Sequence, residues 1–186
     1  QNAGTIGGNL CNASPAADGV PPLLALEAEV ELVSAAGARR LLLAEFLLGP
    51  RRTALRPGEI LAAVLIPEAA LCGGSAFVKL GARSHLVISI AMVAARVVLE
   101  GGRVTGAAIA VGSFSPGAVR LPTVEAALVG ASVAGAEGRV TAAEVQAALS
   151  PIDDVRATAG YRRAAVVELV RRAVADGHST VVYDPQ

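Results

Sequence analysis

SAFVKLGARSHLVISIAMVAARVVLEGGRVTGAAIAVG, residues 75–112, is the stretch that decides the fold. It contains three extended runs: Ser75 to Arg83, Ile88 to Glu100 and Arg103 to Gly112. The last two meet at Glu100-Gly101-Gly102-Arg103, a tight turn of the kind that joins antiparallel neighbours, so the stretch predicts an antiparallel meander. Just upstream, the flexible pair Gly73-Gly74 separates two runs of different patterning and marks the best domain boundary in the chain. Downstream, apolar spacing predicts helices from Thr123 to Val129, Thr141 to Leu149 and Ala157 to Ala175, packed on one face of the sheet. The last of these carries Val166, Val170 and Val174 at four-residue intervals. Thr141 with Glu144 fits a capping box, and Gly177 makes a natural stop. The ending, from His178, reads as a linker or frayed tail.

The region before Gly73 mixes short elements. Ala17 to Ala28 predicts a short helix, with Pro21 and Pro22 near its start where a helix tolerates them. Glu29 to Ser34 and Arg39 to Leu43 flank the turn Ala35-Ala36-Gly37 and predict a hairpin. Ala44 to Leu48 reads as a helical turn ended by Gly49-Pro50, and Glu59 to Ile66 as an extended run stopped by Pro67. The expected architecture is α+β in two parts, residues 1–72 and 73–178, followed by a tail over 179–186.

Composition excludes several classes of function. The 186 residues are 53% hydrophobic and 17% charged, enough apolar surface to bury a core and too much for a disordered linker. Sixteen basic and sixteen acidic side chains cancel, so no general electrostatic footprint for nucleic acid or an anionic membrane surface exists. The longest apolar run, Leu86 to Ala95, is broken by Ser89 and is too short for a membrane span. Cys11 and Cys72 are too few for a zinc or iron–sulfur cluster and read as buried free thiols. With no signal-peptide pattern, a cytoplasmic location is the expectation. The chain opens Gln1-Asn2-Ala3-Gly4 without methionine, which reads as a piece of a longer product.

Chemistry concentrates near the start. In Thr5-Ile6-Gly7-Gly8-Asn9 the paired glycines let backbone N–H groups approach a phosphate, and Thr5 supplies a hydroxyl; an ordinary glycine turn between strands is the competing reading. Asp18 follows and could equally be an acidic residue complementing a helix N-terminus. Lys79 is the chain's only lysine, either a solvated strand residue or a cation kept for a ligand. Asp153 and Asp154 are adjacent, share no helical face and suit capping rather than acid–base work. His85 and His178 lack ligand spacing. Arg156, Arg162, Arg163, Arg171 and Arg172 suggest a basic helix face, solvated or available to a partner subunit.

The block from Asn2 through Asp18, running on to Pro21-Pro22-Leu23-Leu24-Ala25-Leu26, closely resembles the flavin-binding signature of molybdenum hydroxylases, the family of xanthine dehydrogenase and aerobic carbon monoxide dehydrogenase. The resemblance continues through Leu55-Arg56-Pro57-Gly58-Glu59-Ile60-Leu61, Phe77 to Arg83, Ser150 to Arg156 and Tyr161-Arg162-Arg163, nearly the whole chain. It implies the second half of a PCMH-type FAD-binding domain over 1–72, then a carbon monoxide dehydrogenase flavoprotein-type C-terminal domain that covers the flavin. It further implies an electron-transfer component that takes electrons from iron–sulfur clusters through FAD to NAD or another acceptor. Molybdopterin and the iron–sulfur centres would sit in partner subunits. Thr5, Ile6, Gly7, Gly8 and Asn9 would approach the FAD diphosphate, Asp18 the flavin end, Leu61 the ring through its backbone, and Lys79 the flavin side. The stretch from Arg83 to Ile90 resembles relatives acting on aromatic or purine substrates. The family's earlier glycine-rich loop has no counterpart here, so the alternative is a truncated, non-catalytic assembly module that docks partner subunits without holding FAD.

Overall fold

The computed structural model describes residues 4–83 and 87–178. The chain is α+β. Its centre is a four-stranded antiparallel sheet in the order β6-β7-β8-β9, formed by β6 (Gly74–Leu80), β7 (Ala91–Glu100), β8 (Arg103–Gly112) and β9 (Val119–Arg120). The expected meander is there. Its edges differ from the expectation, since β6 ends at Leu80 and β7 begins at Ala91 rather than at Arg83 and Ile88.

Both faces of this sheet are covered, which explains why β7 is almost uniformly apolar instead of alternating. Ala91, Val93, Ala95 and Val97 face α7 (Ala159–Gly177) together with α4 (Pro122–Leu128) and α6 (Ala142–Ala147). Val166, Val170 and Val174 are fully buried there, as their spacing predicts. The opposite face takes α2 (Val20–Ala25). Small residues let it approach closely: Ala25 packs with Ala94 and Ala108, and a Cβ on Gly112 would sit 2.7 Å from Pro21 Cγ. The three downstream helices thus share one face of the sheet as expected, and α2 adds a cover on the other that the sequence did not reveal. A short α5 (Val133–Ala136) and two 3₁₀ turns also occur among the described residues.

The remaining elements form a satellite on the α2 side. A sheet in the order β2-β1-β5 joins β1 (Glu29–Ser34), β2 (Gly37–Leu42) and β5 (Ile60–Leu65). The hairpin appears as expected. The segment after it is α3 (Leu43–Phe46) followed by β3 (Leu47–Gly49), which pairs with β4 (Arg52–Thr53), so the expected helical turn starts and ends earlier. The helix foreseen over 17–28 is confined to Val20–Ala25, because Pro21 and Pro22 fit only a first turn and Glu27 turns left-handed at φ 53. Leu10, Val30, Leu32, Phe46 and Ala110 share one core, so the central sheet also walls the satellite. Arg39 forks onto Glu59 at 2.7 and 2.8 Å, and with the Arg56 N–H this holds the Glu59 carboxyl down at about 2.

Several charged groups are handled differently from the sequence reading. Arg162 does not lie on an exposed basic face: it is 0% exposed and donates to the carbonyls of Ile90 and Ser113 and, at 2.7 Å, to Asp154 Oδ1. Arg156 also binds Asp154, Arg171 reaches the Val140 carbonyl at 3.0 Å, and Arg172 pairs with Glu168. Of the five arginines read as a basic face, solvated or available to a partner, Arg156, Arg162, Arg171 and Arg172 are thus engaged in intramolecular bonds. Asp153 Oδ1 accepts the Ala159 N–H at the start of α7, the capping role expected of it. Thr141 accepts the Glu144 N–H, but the Glu144 carboxylate returns to the Thr141 hydroxyl at 2.6 Å rather than to the backbone N–H of a true box. Cys11 is half-buried, its thiol pushed up by burial, and Cys72 is exposed, so neither is the fully buried thiol expected.

Burial pushes the Asp154 carboxyl up, but the Arg156 N–H and guanidinium and the charge of Arg162 outweigh it and hold it at about 2. Since that lies below the unfolded value of about 3.9, the ion pair's contribution is complete above about pH 4 and is lost as pH falls through about 2. Asp154→Asn leaves the Arg162 charge under-compensated and should cost about 3 kcal/mol at neutral pH. Urea unfolding of both proteins should show that gap closing between about pH 4 and pH 2.

Candidate functional site

α1 (Ile6–Asn12) begins inside the segment that the sequence read as a glycine turn or phosphate loop. The glycines are in its first turn, not between strands. Thr5, extended at φ −123, caps it by accepting the Gly8 N–H at 2.9 Å, and Asn9 N–H donates to the Thr5 carbonyl at 3.0 Å. The cap uses a lone pair of the Thr5 oxygen, so the hydroxyl hydrogen stays available to another acceptor. The Ile6 and Gly7 amides belong to the first turn, where a helix has no acceptor of its own. Ile6 is 64% exposed, whereas Leu10 is buried and pins the helix to the satellite core.

The underside of α1 rests on β5. A Cβ on Gly7 would lie 3.7 Å from Leu61 Cδ2, so Leu61 sits directly beneath the first turn. Asn9 leads to the loop before α2: its Oδ1 is buried without a hydrogen-bond partner, and a Cβ on Gly19 would approach it to 2.9 Å. Beside Gly19, Asp18 meets Lys79 from β6, with Nζ 2.6 Å from Oδ2. The eight residues singled out from sequence therefore form a continuous band from Leu61 through Gly7, Gly8 and Asn9 to Asp18 and Lys79. A cavity of about 360 Å³ lined by Val20, Leu24, Leu47 and Arg120 lies elsewhere and contains none of them.

Sequence reasoning missed Ser89. It is 0% exposed and donates its hydroxyl to Asp18 Oδ1 at 2.6 Å, while its carbonyl accepts from Arg156 at 2.8 Å. Its signal was present, as the one polar interruption of the apolar run from Leu86 to Ala95. Asp18 is not a helix-dipole residue alone, because both carboxylate oxygens are engaged by groups from the central sheet region. The substrate-type resemblance of Arg83 to Ile90 falls partly on residues 84–86, and His85 with them, outside the described residues. Among the described residues, no group of His, Cys, Asp and Glu could hold a metal ion, and no helix is long and apolar enough to cross a membrane.

Residues 1–69 match the family described as FAD binding domain in molybdopterin dehydrogenase, and residues 76–176 the CO dehydrogenase flavoprotein C-terminal domain. The glyceraldehyde dehydrogenase medium chain of Sulfolobus acidocaldarius is 31% identical over 93% of this chain and 61% of its own length. The carbon monoxide dehydrogenase medium chain of Afipia carboxidovorans is 32% identical over 92% of this chain and 59% of its own. A reconstituted CO dehydrogenase structure from Oligotropha carboxidovorans superposes at TM-score 0.87 with 29% identity, covering 96% of this chain and 62% of that one. The chain thus spans about three fifths of the length of these relatives. With both halves matched in order and the whole described fold shared, the chain belongs to the FAD-binding medium-chain family of the molybdenum hydroxylases.

Proposed function

We propose that this chain is the flavin-holding part of an electron-transfer component, residues 1–72 completing the FAD-binding domain and 73–178 the C-terminal domain beside it. The observation that carries the reading is the band itself: a fixed ammonium at one end, first-turn amides at the other, and a buried, unpartnered Asn9 oxygen between them. The Asn9 oxygen is an acceptor, and a ligand hydroxyl or N–H would give it the donor it lacks. The donor set fits FAD. Gly8 and Gly19 keep the backbone bare where a side chain would crowd Thr5 or Asn9, at 3.0 and 2.9 Å respectively.

FAD, when bound, supplies reversible electron acceptance between iron–sulfur centres and NAD or another acceptor. This chain's residues do the rest. Thr5 offers a hydroxyl hydrogen and the Ile6 and Gly7 amides offer first-turn donors to a diphosphate, where the helix end also favours negative charge. Leu61 backs Gly7 from beneath the turn. Lys79, held by Asp18, presents positive charge where a reduced, more anionic ligand gains most from it. An iron–sulfur subunit and a molybdopterin-binding subunit are the partners this role requires, and a cytoplasmic setting suits it.

The test is titration of the purified chain with FAD, then the visible spectrum after gel filtration. Co-elution of a flavin spectrum supports the reading; complete loss of flavin favours the assembly-module alternative. Gly8→Val should weaken FAD binding by about tenfold or more, because a branched side chain at this position crowds the approach of a diphosphate. Unchanged affinity in a folded variant would remove Gly8 from the site.

A further inference from the structure

We propose that Ser89 is a positioning residue: its buried hydroxyl fixes the Asp18 carboxylate so that Lys79 is held in one place at the flavin end of the band. The consequence for flavin rests on the functional reading above, whereas the effect on Lys79 does not. On their own, Asp18 and Lys79 are weakly constrained, with side chains 47% and 29% exposed. An ion pair so open to water contributes little and exchanges rotamers readily. Ser89 changes that. It takes Oδ1 at 2.6 Å, which leaves Oδ2 to face Nζ at 2.6 Å.

Ser89 can impose this geometry because its own backbone is held from several sides. Its carbonyl accepts from Arg156 Nη1 at 2.8 Å. Next to it, Ile90 N–H donates to the Leu80 carbonyl at 2.8 Å, and the Ile90 carbonyl accepts from buried Arg162. Both arginines converge on Asp154. The chain of contacts thus runs from α7 through Ser89 to an exposed ion pair, and it couples a rigid core to the residues that would meet a ligand. A buried hydroxyl given to a carboxylate is also among the stronger hydrogen bonds available to a neutral side chain.

Because Lys79 is the only lysine, selective ¹³C,¹⁵N-lysine labelling of the chain gives one set of side-chain signals. In the wild type the two Cε protons should be inequivalent, as in a side chain held in one rotamer. Ser89→Ala should merge them, Ser89→Thr should keep them apart, and Arg156→Gln, which leaves the hydroxyl but loosens its backbone, should give a partial loss. Unfolding midpoints measured alongside identify any variant that has lost its fold, and Arg156→Gln then carries the comparison. With FAD present, Ser89→Ala should raise Kd about tenfold relative to wild type and Ser89→Thr should not. Lysine signals that stay inequivalent in folded Ser89→Ala overturn the proposal. Merged signals with an unchanged FAD Kd overturn its flavin half. If the wild type binds no FAD while Ser89→Ala still merges the signals, the functional reading falls and the positioning role stands.

Discussion

A guanidinium with no solvent exposure is the constraint on which this fold turns. Arg162 must have its charge balanced and its N–H groups accepted inside the protein, since an uncompensated buried charge costs several kcal/mol, a large part of a small domain's stability. Three separate parts of the chain meet that demand at Nη1 and Nη2, while Nε has no partner among the described residues: the Ile90 carbonyl ahead of β7, the Ser113 carbonyl after β8, and Asp154 ahead of α7. The same places are tied further. Ser113 N–H reaches the Pro15 carbonyl at 2.9 Å, Ile152 N–H the Phe114 carbonyl at 3.0 Å, and Ser150 N–H the Ser115 hydroxyl at 2.9 Å. One buried cation therefore aligns the long helix, the ends of two central strands and the loop that carries Asp18.

That alignment gives the candidate site its character. The groups of the candidate site come from weakly constrained places, namely a seven-residue helix, a short loop and the outer strand β6. Their order comes from behind, through Leu10 and Leu61 under α1 and through Ser89 under Asp18. A site of this design keeps polar groups accessible while their geometry is set by buried neighbours, the arrangement that preorganised binding needs.

Much of this was legible in the sequence, and the misses have physical causes. The meander was readable because glycines at 101 and 102 force a turn between two long apolar runs. The valines of α7 were readable because one face is buried against the sheet at helical spacing. Helix α1 was missed because two glycines argue against a helix locally, while the Thr5 cap and the burial of Leu10 prevail in the folded chain. The second face of the sheet was missed because Ala94, Ala108 and Gly112 look unremarkable in sequence; their smallness matters only once α2 lies on them. Arg162 and Ser89 were missed for the same kind of reason, since an arginine on a helix and a serine in an apolar run show nothing of partners tens of residues away. The band from Thr5 to Lys79, by contrast, was implied by the resemblance to the molybdenum hydroxylase flavin signature rather than by any local pattern, and the fold brings all eight together.

If the band holds FAD as proposed, its Lys79 end faces the bound flavin. The sole lysine makes it directly measurable: acetylate the chain with an amine-reactive reagent, with and without saturating FAD, and follow modification of Lys79 by mass spectrometry. Slow modification of the free chain and strong protection when FAD is present are expected. Equal rates with and without FAD, under conditions where FAD is bound, would contradict that placement.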